Sequence, residues 1–223
     1  SGCGTAAVTA AVARQLALQG KKVLLVEATA GLRRMNRLLE IREEGLFDFS
    51  DLLEGRCALE NALLPTHIAG LTLLQGPSAI DWVPQAASVQ LLREELSGTE
   101  QYEALLWYCP PGAGALQKGL LPAAETLVLL TEVTPQSIEA AAKTADWWAG
   151  QGARNLRTVF NRVGRRLPRD LGYPHLDAVL DAIGARLLGM IPEGADLPYS
   201  AATGNIAARL CGESRPLLAV YRP

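Results

Sequence analysis

SGCGTAAVTAAVARQLALQGKKVLLVEATAGLRRMN, Ser1–Asn36, is the stretch that decides the fold. Residues 6–19 carry apolar side chains at helical spacing, and Gly20-Lys21-Lys22 is a turn. Lys22–Val26 is a short apolar strand that ends on the acid Glu27. The helix follows a glycine-bearing segment. A loop placed there can present converging backbone N–H groups at a helix N-terminus, where the helix dipole favours an anion. Ser1–Asn36 therefore has the element order of a phosphate-binding loop with its first crossover helix.

The same alternation continues along the chain. Strands are expected at Leu71–Leu74, Ala104–Tyr108, Thr126–Thr131, Thr158–Asn161 and Leu187–Ile191. Between them lie helical patterns at Asp48–Leu64 (broken at Gly55), Ala87–Leu96, Leu116–Pro122, Pro135–Gln151, His175–Ile183 and Ala201–Leu210. Short buried runs alternating with longer helical ones predict one α/β domain, residues 1–223, with a mostly parallel sheet and helices on both faces. Ligands bind beyond the carboxyl ends of such strands. Glu27, Cys109–Gly114, Glu132 and Asn161–Arg162 fall at those ends, and Arg162–Pro174 reads as an exposed loop.

Composition narrows the function. The chain has 223 residues, 49% of them apolar and 20% charged, with a net charge of −2. That balance gives no bulk attraction to nucleic acid or to an anionic membrane. Cys3, Cys57, Cys109 and Cys211 stand far apart without a CxxC pair, which argues for free thiols in a reducing cytoplasm and against a zinc site. No apolar run approaches the roughly 20 residues that span a bilayer.

Several segments together resemble the ParA/MinD family of deviant Walker A P-loop ATPases, and its MinD branch in particular. SGCGTAAVTA sits where the family has SGKGGxGKTT, and KVLLVEATAGLRRMN (Lys22–Asn36) where it has KVLLIDAD-x-GLRNLD. LLEGRCALENALL (Leu52–Leu64) is similar to a MinD stretch, and YEALLWYCPPGAG (Tyr102–Gly114) takes the place of YDYIIIDCPAGIE. VFNRV (Val159–Val163) and LLGMIPEG (Leu187–Gly194) match the late Asn-Arg strand end and the IPED loop. The resemblance implies a P-loop NTPase fold, an ATP/Mg²⁺ cofactor, dimerisation and a role in placing the division septum. Two family parts are not among these residues, a first central strand ahead of the loop and a basic amphipathic membrane helix at the end. The expected sheet therefore lacks that strand, as in a chain truncated at both ends, and the tail LLAVYRP is too short for the helix.

Against this pattern the departures stand out. Aligned with the family, the signature lysine is Cys3, a loop glycine is Thr5, and the last Gly-Lys pair is Ala7-Val8. The second switch acid is Thr29, and the Walker B acid is Tyr108. Gly4, Thr9 (a Mg²⁺ hydroxyl ligand by resemblance), Glu27, and the nucleobase-side Asn161 and Arg162 remain. Phosphoryl transfer relies on fixed positive charge and metal against the developing negative charge. Loss of both lysines and the Walker B acid predicts a degenerate, non-hydrolysing homologue that retains residual nucleotide or partner binding. The alternatives are a slow but active ATPase and a truncated fragment without function. Expected partners are a second copy, an active MinD homologue or a division-site protein, with no specific nucleic acid.

Each of these residues also has a plainer role. Cys3 is a reactive thiol only if a helix N-terminus lowers its pKa, and no His or acid partner is visible nearby. Cys109 reads as packing, and His67 and His175 as surface or capping residues. Trp147-Trp148 places one ring inside and one outside, while Trp107-Tyr108 reads as an aromatic pair filling the space of metal and phosphate. Arg162, Arg165, Arg166 and Arg169 read as a solvated loop or a phosphate contact.

Overall fold

Val23–Glu27 (β1) is wholly excluded from solvent, all five residues having no exposure. In this computed structural model, which describes residues 2–31, 33–99, 101–164, 171–194 and 199–215, β1 is an interior strand of a four-stranded sheet. Parallel neighbours flank it, Leu71–Leu74 (β3) on one side and Ala104–Tyr108 (β4) on the other, and its apolar run is buried because helices cover both faces. Leu63–Pro65 (β2) closes the β3 edge in antiparallel pairing, giving the order β2-β3-β1-β4. These elements belong to a compact unit, Thr5–Ala124.

Alternation along the strands sorts this unit into two cores. Leu24, Val26, Leu105 and Trp107 pack with Phe49, Val89, Leu92, Leu96 and Leu120. Those partners come from helices Phe49–Leu53 (α3), Ala86–Gly98 (α5) and Ala115–Leu120 (α6), the last running into a 3-10 turn at Leu121–Ala123. Residues of the opposite parity face Thr5–Leu18 (α1), which packs on β1, β3, β4 and the short helix Arg34–Leu38 (α2). Helix α1 buries Val8, Val12, Ala13, Leu16 and Ala17. Each fully buried Val or Leu contributes about 1.5–3 kcal/mol, which is why this stripe outweighs the modest helix propensity of its valines.

Asp48 starts α3 as a capping box, its side chain accepting the Ser50 and Asp51 N–H groups while Asp51 accepts the Asp48 N–H. Two elements depart from expectation. Leu59–Ala62 (α4) stops early, and Leu63-Leu64, expected as helix, pair with β3 as strand. Helix α2 is not signalled by its own sequence, because its start is held by a side chain from another element.

The second compact unit comprises Ser1–Gly4 with Glu125–Pro223. Leu127–Glu132 (β5), Leu156–Val163 (β6) and Arg186–Pro192 (β7) form a parallel sheet in that order. Helices Pro135–Gly150 (α7) and Leu176–Ile183 (α8) cover one face with Ile138, Ala141, Val179 and Ile183 against Phe160 and Met190. Helix Tyr199–Leu210 (α9) packs on β7 from the other, its Ile206 lying over Gly189. The α/β architecture with mostly parallel strands and helices on both faces is as expected.

Candidate functional site

At the carboxyl end of β1, Glu27 is buried and its carboxylate is surrounded by backbone donors. Oε1 accepts the Arg34 N–H at 2.8 Å and Oε2 the Met35 N–H at 3.3 Å, with Gly76 donating a third. Glu27 thus supplies the cap for α2, whose own N-cap residue Arg33 has a left-handed backbone and offers no side-chain cap. Burial pushes the Glu27 carboxyl above the usual carboxylate range, and the three N–H groups and the Arg34 charge only partly offset it. The approach is close: a Cβ at Gly76 would lie 2.4 Å from the Thr29 carbonyl and 2.9 Å from Glu27 Cγ. Thr29, on the loop after β1, and Asn36, in α2, are buried with side-chain polar atoms that find no partner among the described residues.

Tyr108 stands opposite Glu27 in parallel register, and its carbonyl accepts the Ala28 N–H at 2.9 Å. Its ring is buried, 2% exposed, on the face that α1 covers. Val8 is buried on α1, Thr9 is half-buried and Ala7 is exposed. Trp107 is a correction. Successive strand residues point to opposite faces, so its ring packs edge-on to Phe49 at 5.6 Å, away from Tyr108, and the two aromatics do not fill one space.

In the other unit, β6 bulges at Asn161 and Arg162, where its pairing with β7 shifts register and Arg162 takes a φ of 53°. A bulge re-aims side chains at a strand end. Asn161, 6% exposed, donates its Nδ2 to the Cys3 carbonyl at 2.7 Å. Arg162 donates to the Gly2 carbonyl at 3.3 Å and to Glu132 Oε1 at 2.8 Å. Cys3 Sγ donates to the Leu130 carbonyl at 3.4 Å. The segment turns through Gly2 and Gly4 at φ 115° and 86°, which only glycine adopts freely, and a Cβ on Gly4 would sit 3.0 Å from Asn161 Nδ2. Gly2 and Glu132 join Asn161 and Arg162 here, as Gly76 joins Glu27 in the other unit. In the sequence Glu132 is legible as a strand-end acid and Gly2 as part of the glycine-bearing segment, whereas Gly76 has no such signal.

The plainer roles hold elsewhere. Cys109 packs against the Phe49 core, and burial pushes its thiol up to about 12. His175 caps α8 through Nδ1, and His67 is exposed. Trp148 is buried and Trp147 half-buried. Arg165, Arg166, Arg169 and the LLAVYRP tail lie outside the described residues. A cleft of about 880 Å³, lined by Arg154, Asn155, Asp177, Asp181 and Arg186, opens at the amino ends of β6 and β7, away from Asn161. Among the described residues no three His, Cys, Asp or Glu side chains gather to hold a metal, and no helix is long and apolar enough to cross a membrane.

A glycine-bearing turn ahead of a helix, with an acid at the end of the next parallel strand, is the scaffold of the P-loop NTPases. No family model matches the chain. It is 30% identical over 200 residues to a septum site-determining MinD protein of Oltmannsiellopsis viridis, and 24% identical over 238 residues to that of Bacillus subtilis. The first comparison covers 86% of this chain but 61% of the relative, so the chain spans less than two thirds of that protein; the second covers 97% and 87%. Among solved structures it superposes on a chain of the MinC:MinD cell division complex of Aquifex aeolicus with a TM-score of 0.84 at 27% identity, covering 97% of this chain and 94% of that one. The fold is shared with Pyrococcus horikoshii MinD in complex with Mg-ADP, at a TM-score of 0.77 and 21% identity over 94% of this chain and 91% of that one. The chain is MinD-like, resembling the septum site-determining proteins of the ParA/MinD family in sequence and in fold.

Proposed function

We propose that this chain is a MinD-like protein of bacterial-type cell division that acts by binding a partner and does not turn over ATP at a family rate. The homology to septum site-determining proteins supports the division role. One observation carries the loss of hydrolysis: the positions that would offset phosphate charge hold Cys3 and Val8, the one that would support the metal holds Tyr108, and Val8 and Tyr108 are buried side chains on a packed face. A magnesium triphosphate needs cationic and acidic ligands that are free to turn toward it. Glu27 has its carboxylate occupied by backbone donors, so the residues present fit that group poorly. The partner is a second copy, an active MinD homologue or another division protein, met in the cytoplasm.

Thr9, Gly4 and the Asn161–Arg162 pair favour the second reading, a slow ATPase with weak nucleotide binding; a family relative is known with Mg-ADP. The two separate in a Mg²⁺-dependent phosphate-release assay on the purified chain. The proposal expects release no faster than a protein-free blank. Turnover at the rate of an intact MinD, lost on Thr9→Ala, would refute it.

A further inference from the structure

The cleft of about 880 Å³ at the amino ends of β6 and β7 has walls of opposite charge. Asp177 and Asp181 stand on α8, while Arg154 lies just ahead of β6 and Arg186 opens β7. The half-buried Leu156 and Leu187 give it an apolar floor. All four charged side chains are exposed, and none of them forms an ion pair or a side-chain hydrogen bond among the described residues. Lys143 on α7, by contrast, takes up Glu139 one turn away. The local physics of α8 disfavours its acids. Asp177 and Asp181, four residues apart, put two like charges on one face beside the half-buried Leu180. Asp181 also stands in the last turn, where the helix dipole favours a cation and α8 has no basic residue.

We propose that this cleft is a contact between two copies of the chain related by a two-fold axis, the α8 helix of each copy lying in the cleft of the other. The acids of one copy then face the arginines of its partner, and Leu180 covers the apolar floor. A two-fold contact brings a surface patch against itself, so it needs both signs within one patch, and this cleft has them. A guest of one sign fits less well. A nucleic acid or an acidic peptide would be drawn to Arg154 and Arg186 but repelled by Asp177 and Asp181, and a basic peptide the reverse. Among the partners proposed above this selects the second copy, and so rests on the partner-binding reading.

The test is sedimentation equilibrium of the full chain without nucleotide. At about 100 μM protein, enough to populate a contact of micromolar strength, the average mass should rise from one chain toward two. Raising the salt from about 50 mM to about 500 mM should weaken the association about tenfold, because exposed pairs are screened. Two variants identify the face. Asp177→Arg with Asp181→Arg makes both walls basic, and Arg154→Asp with Arg186→Asp makes both acidic, all at exposed positions that leave the core alone. Each variant by itself should associate at least about tenfold more weakly than the parent, and an equimolar mixture of the two should pair again. Should tryptophan emission show either variant unfolded, the single changes Asp181→Arg and Arg186→Asp replace them with the same outcomes required. A parent that stays monomeric at low salt, a dimer that survives both reversals, or a mixture that does not pair overturns the inference. A surviving dimer would set the second copy on another face and leave the partner-binding reading standing. A parent that binds neither a second copy nor a purified, active MinD homologue would end that reading as well.

Discussion

Glu27→Ala separates a structural acid from a catalytic one. The substitution deletes the acceptor for the Arg34, Met35 and Gly76 amides at a position with no solvent exposure. Arg34 N is only partly buried and can turn to water, so the Met35 and Gly76 N–H groups are the donors left stranded. An unsatisfied buried donor costs about 1–3 kcal/mol and the one lost methylene about 0.8 kcal/mol, so with two stranded donors the variant should lose about 3–7 kcal/mol. Urea unfolding followed by tryptophan emission measures it, with Trp82 and Trp107 both packed on Phe49 in the same unit. Glu27→Gln adds the sign of the charge. Because the folded carboxyl holds its proton above the ordinary value of 4.5, the native chain binds more protons than the unfolded one. Its contribution is therefore complete below pH 4.5 and declines as pH rises through the folded pKa. Gln removes that decline, so its deficit against the parent should shrink between pH 4 and pH 7. A loss below about 1 kcal/mol for Ala, less than one stranded donor costs, or a Gln deficit that grows with pH, would refute the capping role.

Asp48 should behave with the opposite sign. Burial pushes its carboxyl up, but the Ser50 hydroxyl and the Ser78, Asp51 and Ser50 N–H groups outweigh it and hold the pKa below 3.8. Its contribution is present above pH 3.8 and lost as pH falls through the folded value; Asp48→Ala should cost about 1–2 kcal/mol at neutral pH, the scale of an N-cap, checked by urea unfolding at pH 7 and pH 3. With its thiol pushed up to about 12, Cys109 should stay unlabelled by iodoacetamide at pH 8 while the exposed Cys211 reacts, and equal labelling would contradict its packing.

Strand β4 runs Ala104–Tyr108 as its apolar pattern predicts, because a parallel strand's burial is written in its own composition. Helix α2 could not be read in this way. RMNRL is five residues with two arginines and no capping residue before it, and its start is fixed by Glu27 seven residues upstream. Likewise Leu63–Pro65 carries two leucines that suit a helix as well as a strand, and only pairing with β3 decides between them. At the site, the sequence places Glu27, Tyr108 and Asn161 at strand ends. It does not tell whether an acid there faces a ligand or a backbone. Nor does it tell that Asn161 reaches Cys3, since no local pattern encodes a bond across 158 residues.

That bond also orders events in time. The unit holding β1 is continuous, Thr5–Ala124, and every pairing it needs is available once residue 124 has been made. The other unit is split by it, with Gly2–Gly4 synthesised before that whole stretch and Asn161 after it. Its sheet can form from later residues alone, but the Gly-Cys-Gly turn must wait for β6. Closing so long a loop is entropically unfavourable and rewarded only by a few bonds. Attachment of Gly2–Gly4 therefore follows the making of β6 and cannot guide the folding of the stretch between them.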